Sequence, residues 1–484
     1  MNKPETIYNR DIESFIKDFV TDLAENNVAV FAGAGMSKGA GYVNWPELLS
    51  DIADELGLKV DKEHDLISLA QYHVNERGGK AGIIKKILQE FSEQAEPSEN
   101  HKLLARLPIT TFWTTNYDTL IEDSLKAAYK VVDVKHQIKQ LANTRPKRDV
   151  VVYKMHGDVH HPADAILSKE QYEFYYKTHE HFITALSGDL ISKTFLFIGF
   201  SFTDPNLDYV LSRLNIQFGA NNRQHYCFIK KESQVTGEDE ELFKYKQRKQ
   251  QLMVDDLKRY KIKALLVDEY SGITAILKEI EKRYRKKTVF ISGSAEEYGS
   301  WDRNQAQSFI HSLSKNIVSS GFRIVNGFGW GVGSAVINGA LEAIYERPDR
   351  HSEDQLIMKP FPQFKTGGKE LGDLWEEYRQ RMISLAGIAV IIFGNKKDDK
   401  GNIIPANGVK REFQIALEQG LVPIPIATTG YVSKEVYEEI LKAPEKYYPG
   451  AEWIIPFIKE LASDKLTSDD IIKKVINIIQ TINK

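Results

Sequence analysis

Short runs of β-branched and aromatic residues recur along this chain, and most of them stop at a glycine or a small polar residue. "VAVFA" (28–32) runs into Gly33-Ala34-Gly35-Met36-Ser37, "ITTFWTT" into Asn116 to Asp118, "DVVVYKM" into His156, and "KTFLFI" into Gly199 to Phe202. "QHYCFIK" and "IKALLVD" follow. Such runs read as strands. The stretches between them carry apolar residues at helical spacing, as at Ile12, Phe15, Ile16, Phe19, Val20 and Leu23. Trp45 to Gly57 reads as one helix, with Pro46 in its first turn and Gly57 at its end. This alternation predicts an α/β fold with a doubly wound parallel sheet, whose ligands sit at the C-terminal ends of the strands.

The pattern starts again near residue 287. Leu277 to Lys287 reads as a charged helix that closes the first domain and serves as a linker. Thr288 to Ile291 then reads as a strand ending in the turn Ser292-Gly293-Ser294. Phe322 to Val325 reads as a strand leading into a loop with four glycines between Gly327 and Gly333. "AVIIF" ends at Gly394 to Lys396, "LVPIPI" ends near Ala427, and Ser468 to Ile482 reads as a helix. The expectation is two Rossmann-like doubly wound parallel-sheet domains in tandem, residues 1–285 and 286–484. A length of 484 residues suits two or three domains, each with its own core.

Composition narrows the classes. A formal charge of −3 gives no global basic excess to call for nucleic acid. The single cysteine, Cys227, rules out a disulfide framework and a cysteine-rich zinc site, and fits a reducing cytosol. The first 20 residues are too charged for a signal peptide, and the longest apolar runs fall short of the ~18–20 residues of a membrane span. The expectation is a soluble, cytoplasmic protein with no bound metal.

Gly33 and Gly35 would let the backbone approach a pyrophosphate, although ordinary βα turns use glycine too, and the spacing departs from G-x-G-x-x-G. Asp51, Asp54 and Glu55 lie at a suitable distance for a ribose-binding acid, but they read as a solvated helical face. The other strand ends add Asn116 and Asp118, then His156, then Ser201, Asp204 and Asn206. Singly, each has a plain structural role: a turn amide, a core histidine, an Asp-Pro turn. Together they would line one crevice, and polar groups gathered there are costly to bury without a ligand.

The ordered set "GAGMS", "TTNYD", "MHGD" and "GFSFTDPN" resembles the sirtuin-like NAD-consuming family over about residues 10–285. The resemblance implies that Ala32, Gly33, Gly35, Met36 and Ser37 hold the NAD pyrophosphate. It implies that Asn116 and Asp118 contact the nicotinamide ribose and a water, that His156 is the catalytic histidine, and that Gly199 and Ser201 meet the adenosine side. Protein-deacylating sirtuins carry zinc-binding cysteines and a Gly-Ile-Pro-x-Phe-Arg loop. This chain has one cysteine and reads "GAGYVNWPELL". With no acyl-lysine groove in view, water becomes the expected acceptor, and NAD+ a substrate rather than a resident cofactor. Cleavage would give nicotinamide and ADP-ribose through an oxocarbenium-like transition state.

The second half is similar to the SLOG family of nucleotide sensors, related to the Smf/DprA and LOG proteins. LOG-type enzymes carry Pro-Gly-Gly-x-Gly-Thr-x-x-Glu, whereas this loop runs Gly327-Phe328-Gly329-Trp330-Gly331-Val332-Gly333-Ser334 without that glutamate. Binding without cleavage is therefore expected. A sirtuin-like domain followed by a SLOG domain resembles the NAD-degrading effectors of the Thoeris antiphage system. That resemblance implies a bacterial homotetramer, autoinhibited until a cyclic ADP-ribose isomer made by a TIR-domain partner binds the second domain. It places Gly293, Ser294, Gly329, Gly331, Arg379, Lys396 and Glu412 at the signal, with Arg381 and Lys397 as rivals to Arg379 and Lys396. Two other readings stay open: an NAD-dependent deacylase or ADP-ribosyltransferase, and a non-catalytic nucleotide sensor.

Overall fold

A computed structural model describes residues 8–91 and 95–483. The N-terminal residues 1–7, part of the segment read above as too charged for a leader, lie outside the described residues. The chain divides into two compact units, residues 8–281 and 282–483.

The first unit holds seven strands: β1 (Val28–Ala32), β2 (Thr111–Thr114), β3 (Val132–Lys135), β4 (Val150–Lys154), β5 (Thr194–Ile198), β6 (His225–Lys230) and β7 (Ile262–Val267). They form one sheet in the order β3-β4-β2-β1-β5-β6-β7, and every pairing is parallel. β1 is buried along its whole length between β2 and β5. This is why it reads as an unbroken apolar run. The helix Arg10–Ala24 starts at Asn9, whose side chain accepts from the Ile12 N–H at 2.9 Å. It buries Ile12, Phe15, Ile16, Phe19, Val20 and Leu23, the six positions read from the sequence.

Strand order reverses at β1, with β2 on one side and β5 on the other. The crevice of a doubly wound sheet opens at such a point. Residues 45–91 form a separate helical layer whose core includes Leu48, Leu49, Ile52, Leu69, Ile83 and Ile87. That core packs on Tyr117, Ala165 and Leu167, from the loops after β2 and β4. The single helix expected over Trp45 to Gly57 is two, Trp45–Leu48 and Ser50–Glu55, with a bend at Leu49 that buries both Leu48 and Leu49. Asp51, Asp54 and Glu55 are exposed.

In the second unit, β8 (Thr288–Ser294), β9 (Arg323–Asn326), β10 (Leu356–Met358), β11 (Ile388–Phe393) and β14 (Val422–Pro425) pair in parallel in the order β10-β9-β8-β11-β14. β12 (Asn395–Lys397) and β13 (Ile403–Pro405) form an antiparallel hairpin. Ser292-Gly293-Ser294 is strand, not the expected turn, because β8 keeps pairing with β11 through Ser294↔Phe393. Likewise β11 stops at Phe393, and Asn395 opens the hairpin. The C-terminal helix spans Ser468–Ile482. No helix among the described residues is long and apolar enough to cross a membrane.

Candidate functional site

The glycine turn after β1 is built against the turn after β5. The Gly33 and Gly35 N–H groups donate to Ile198 O (3.0 Å) and Gly199 O (2.9 Å). A Cβ on Gly33 would lie 2.5 Å from Gly199 O, and one on Gly199 only 2.1 Å from Met36 N. Gly199 also has φ +63°, a conformation only glycine adopts freely. The glycines are thus demanded first by the contact of two strand-end turns. The Met36 N–H turns back to Gly33 O (3.0 Å), and the Met36 side chain lies among His101, Leu104 and Phe112.

One buried polar network joins this turn to the loop after β2. The Asn116 amide donates to Gly33 O (3.1 Å) and to Ser37 Oγ (2.9 Å), and the Ser37 hydroxyl donates to Asp118 Oδ2 (2.7 Å). Asp118 Oδ1 accepts from the Leu120 N–H at 3.0 Å, at the start of the helix Leu120–Ala127. Asn116, Ser37 and Asp118 are all buried. Both Asn116 amide protons are engaged, so Oδ1 is the atom of that amide still able to accept from a ligand hydroxyl or a water.

Beneath them lies Lys154, fully buried at the end of β4, a residue sequence reasoning missed. Its ammonium donates to Tyr117 O (3.0 Å) and Asp118 O (2.6 Å), and it pairs with Asp158 (2.6 Å) and Glu122 (3.0 Å). The two carboxylates hold its proton on despite burial. Burial pushes Glu122 up, while the ammonium holds Asp158 below the usual range. This cation clamps the β2 loop, with Asn116 and Asp118, to the β4 loop that carries His156. The clue was a lysine two residues before the histidine, in a strand otherwise apolar.

His156 is buried, and desolvation lowers its pKa although Asp204 opposes the shift. The imidazole is therefore neutral at physiological pH. The Tyr172 hydroxyl stands 3.3 Å from Nδ1. Asp204 Oδ2 stands 3.3 Å from Nε2, in electrostatic contact but without the alignment of a hydrogen bond. Asp204 caps the helix Pro205–Phe218, so the Asp-Pro turn does open a helix. Ser201 is exposed, its hydroxyl on Thr203 Oγ1 at 2.8 Å, and makes no contact with this network. Tyr172, in the helix Lys169–Thr178, carried no motif to mark it.

The second unit repeats the device. A Cβ on Gly329 would lie 2.0 Å from Gly293 O, one on Gly331 1.9 Å from Ala295 O, and one on Gly293 2.6 Å from Ile392 O. The glycine loop therefore lies directly on the end of β8. Glu412, in the helix Asn407–Glu418, is buried and raised in pKa by desolvation. It accepts from the Ser292 hydroxyl at 2.5 Å, while Arg379 Nε stands 3.8 Å away, buried and without a hydrogen-bond partner. Ser294 instead donates to Asn395 O (3.0 Å). The Arg379 guanidinium lies 5.0 Å over the Phe361 ring, whereas Arg381 is exposed. Lys397 pairs with Glu296 (2.6 Å), and Lys396 is exposed on β12. Ser292, not marked out by the resemblance, is thus the hydroxyl that reaches Glu412.

Residues 110–251 match the family described as the SIR2-like domain, and residues 272–482 match the Sir2- and TIR-associating SLOG family. Three relatives are named NAD(+) hydrolase ThsA. That of Bacillus cereus (strain MSX-D12) is 49% identical over 98% of this chain and 99% of its own. That of Cytobacillus dafuensis is 47% identical over 98% and 97%. That of Acinetobacter baumannii (strain 532279) is 44% identical over 98% and 100%.

Proposed function

The chain belongs to the ThsA family of NAD(+) hydrolases, and we propose that it cleaves NAD+ to nicotinamide and ADP-ribose at the C-terminal ends of β1, β2 and β4. The observation that carries this reading is the buried Ser37–Asn116–Asp118 network beside a neutral His156. NAD+ is bound as substrate, its pyrophosphate over the Ala32 to Ser37 turn and its adenosine side toward Gly199 and Ser201.

In the reaction the bond from ribose C1′ to the nicotinamide nitrogen breaks, and its electron pair leaves with nicotinamide, which becomes neutral. One water adds to C1′ and loses a proton. Asn116 Oδ1 orients that water or the ribose hydroxyls, Asp118 supports it through Ser37, and neutral His156 accepts the proton. The helical layer over residues 45–91 shields the β2 and β4 loops from bulk water. No resident metal or cofactor takes part.

The second unit binds a cyclic ADP-ribose isomer supplied by a TIR-domain partner. A buried carboxylate and an unpartnered guanidinium nitrogen, Glu412 and Arg379, suit ribose hydroxyls and a pyrophosphate. Gly293, Ser294, Gly329, Gly331 and Lys396 complete that site. The signal releases an autoinhibited homotetramer in the bacterial cytoplasm, through its higher affinity for the active state.

One experiment tests both halves. Purified protein is given NAD+ with and without cyclic ADP-ribose isomers, and nicotinamide, ADP-ribose and a labelled acetyl-peptide are followed. Signal-dependent ADP-ribose with an intact peptide supports the proposal. Deacylation would restore the deacylase reading, and unchanged NAD+ under every condition would leave a sensor.

A further inference from the structure

Asp204 divides its carboxylate between two tasks. Oδ1 caps the helix Pro205–Phe218, accepting from the Asn206 N–H (2.9 Å) and the Leu207 N–H (3.0 Å). Oδ2 is left over and faces His156 Nε2 at 3.3 Å. Among the described residues, His156 is the only basic group within ion-pair distance of Asp204. The other groups around the pair are Tyr172 and Tyr175 from the helix Lys169–Thr178, Tyr117 from the β2 loop, and His179. The Tyr175 hydroxyl is spent on Met155 O (3.0 Å), and that of Tyr117 on Ile166 O (2.8 Å). His179 stacks on Tyr175 at 4.4 Å, with its own proton affinity lowered by burial. Among the described residues nothing else cationic competes for the Asp204 charge.

A neutral imidazole carries one proton, and its neighbours decide where. A lone pair on Nε2 would face a carboxylate oxygen, an unfavourable contact. A proton on Nε2 is drawn to that oxygen by charge, across a 3.3 Å contact that is not an aligned hydrogen bond, and the Tyr172 hydroxyl then donates to Nδ1. Both neighbours select the same tautomer. We propose that Asp204 is a positioning residue for His156: it keeps the proton on Nε2, turns the Nδ1 lone pair toward Tyr172, and stabilises the imidazolium formed when Nδ1 takes the Tyr172 hydroxyl proton as the Tyr172 oxygen takes one from the attacking water. The proposal deepens the reading of His156 as the base and rests on it.

The test is D204N, in which the amide oxygen keeps the helix cap while the charge is lost. His156 works unprotonated, and the carboxylate raises its pKa against burial, so removing the charge lowers it. The acid limb of kcat/KM therefore moves to lower pH by about one unit or more. The plateau kcat falls on the order of tenfold, with KM nearly unchanged. Nitrogen-15 NMR of histidine-labelled protein, with the signal assigned through H156A, finds His156 as the Nε2–H tautomer in the parent and a mixture or the reverse in D204N. A folded D204N with the parental pH profile and tautomer overturns the proposal, as does a parental Nδ1–H tautomer. If D204N does not fold, D204S, which keeps a capping oxygen, is read in the same way. Should the parent leave NAD+ intact, the proposed activity falls, while the NMR arm still decides the role of Asp204.

Discussion

Asn116 and His156 do different work, and their removal should tell them apart from residues that only support them. N116A and H156A are each expected to lose on the order of 10² to 10⁴ in kcat while remaining folded, as followed by nicotinamide release and circular dichroism. Lys154 is the contrasting case. In K154M, Glu122 and Asp158 lose their buried cation, and the Tyr117 and Asp118 carbonyls lose the ammonium's hydrogen bonds. Breaking such a buried pair costs about 3–5 kcal/mol, so K154M should show a large fall in Tm along with its loss of activity. Asn116 and His156 are legible because each stands just past an apolar strand, at a polar position the sheet itself does not need. The roles of Lys154 and Tyr172 do not show in the sequence, because they depend on what faces them across the crevice: Lys154 looks like a lapse in an apolar strand and Tyr172 like one of many helical tyrosines, while Asp204 shows only as one of the crevice's polar groups at the start of a turn.

The strands that carry the site show as apolar runs, and the glycines in the turns between them have a second reason to be there. In sequence they leave room for a phosphate; in the structure Gly33, Gly35 and Gly199 are also required where one backbone lies on another, and so are Gly293, Gly329 and Gly331. A sequence shows that a side chain is missing without showing what fills the space. G199A tests this directly. It forces a Cβ against Met36 N in a left-handed conformation, and should cost roughly 1–3 kcal/mol or more in thermal or urea unfolding. NAD+ cleavage should fall as well, since the turn after β1 must shift. The continuation of β8 through Ser294 escaped reading because Gly293 looks like a turn residue. Pairing with β11 overrides that preference, since only glycine lets Ile392 approach so closely. β3, β10 and the β12–β13 hairpin are short, three or four residues each, and gave too little pattern to stand out.

The whole molecule pairs two sheets of the same design, each with a polar network at the strand ends where its order reverses. That much follows from alternation of elements; the pairing of a hydrolase with a nucleotide sensor is what the resemblance implies, and the relatives' printed name, NAD(+) hydrolase ThsA, speaks to the hydrolase alone. Two bulk properties follow. Burial pushes His101 down to about 4 and His225 down to about 3, so the unfolded chain binds protons below about pH 6.5 that the folded chain does not. Stability therefore drops as pH falls, by about 2 kcal/mol per histidine at pH 5, and Tm measured from pH 7 to 5 should decline steadily. Among the described residues no group of three or more metal-ligating side chains is poised to hold an ion. Because the proposed reaction uses only water, Asn116 and His156, NAD+ cleavage is expected to survive exhaustive chelation at its full rate, measured against untreated protein; loss of activity that a divalent cation restores would contradict it.

The central claim is that Asn116 and His156 form a water-using NAD+ cleavage site in the first unit. The most direct test is quantitative chromatography of NAD+ incubated with the activated parent, N116A and H156A. Nicotinamide and ADP-ribose are expected in equal amounts from the parent, and neither above background from the two variants. Parental rates in H156A, or nicotinamide released without matching ADP-ribose, would contradict it.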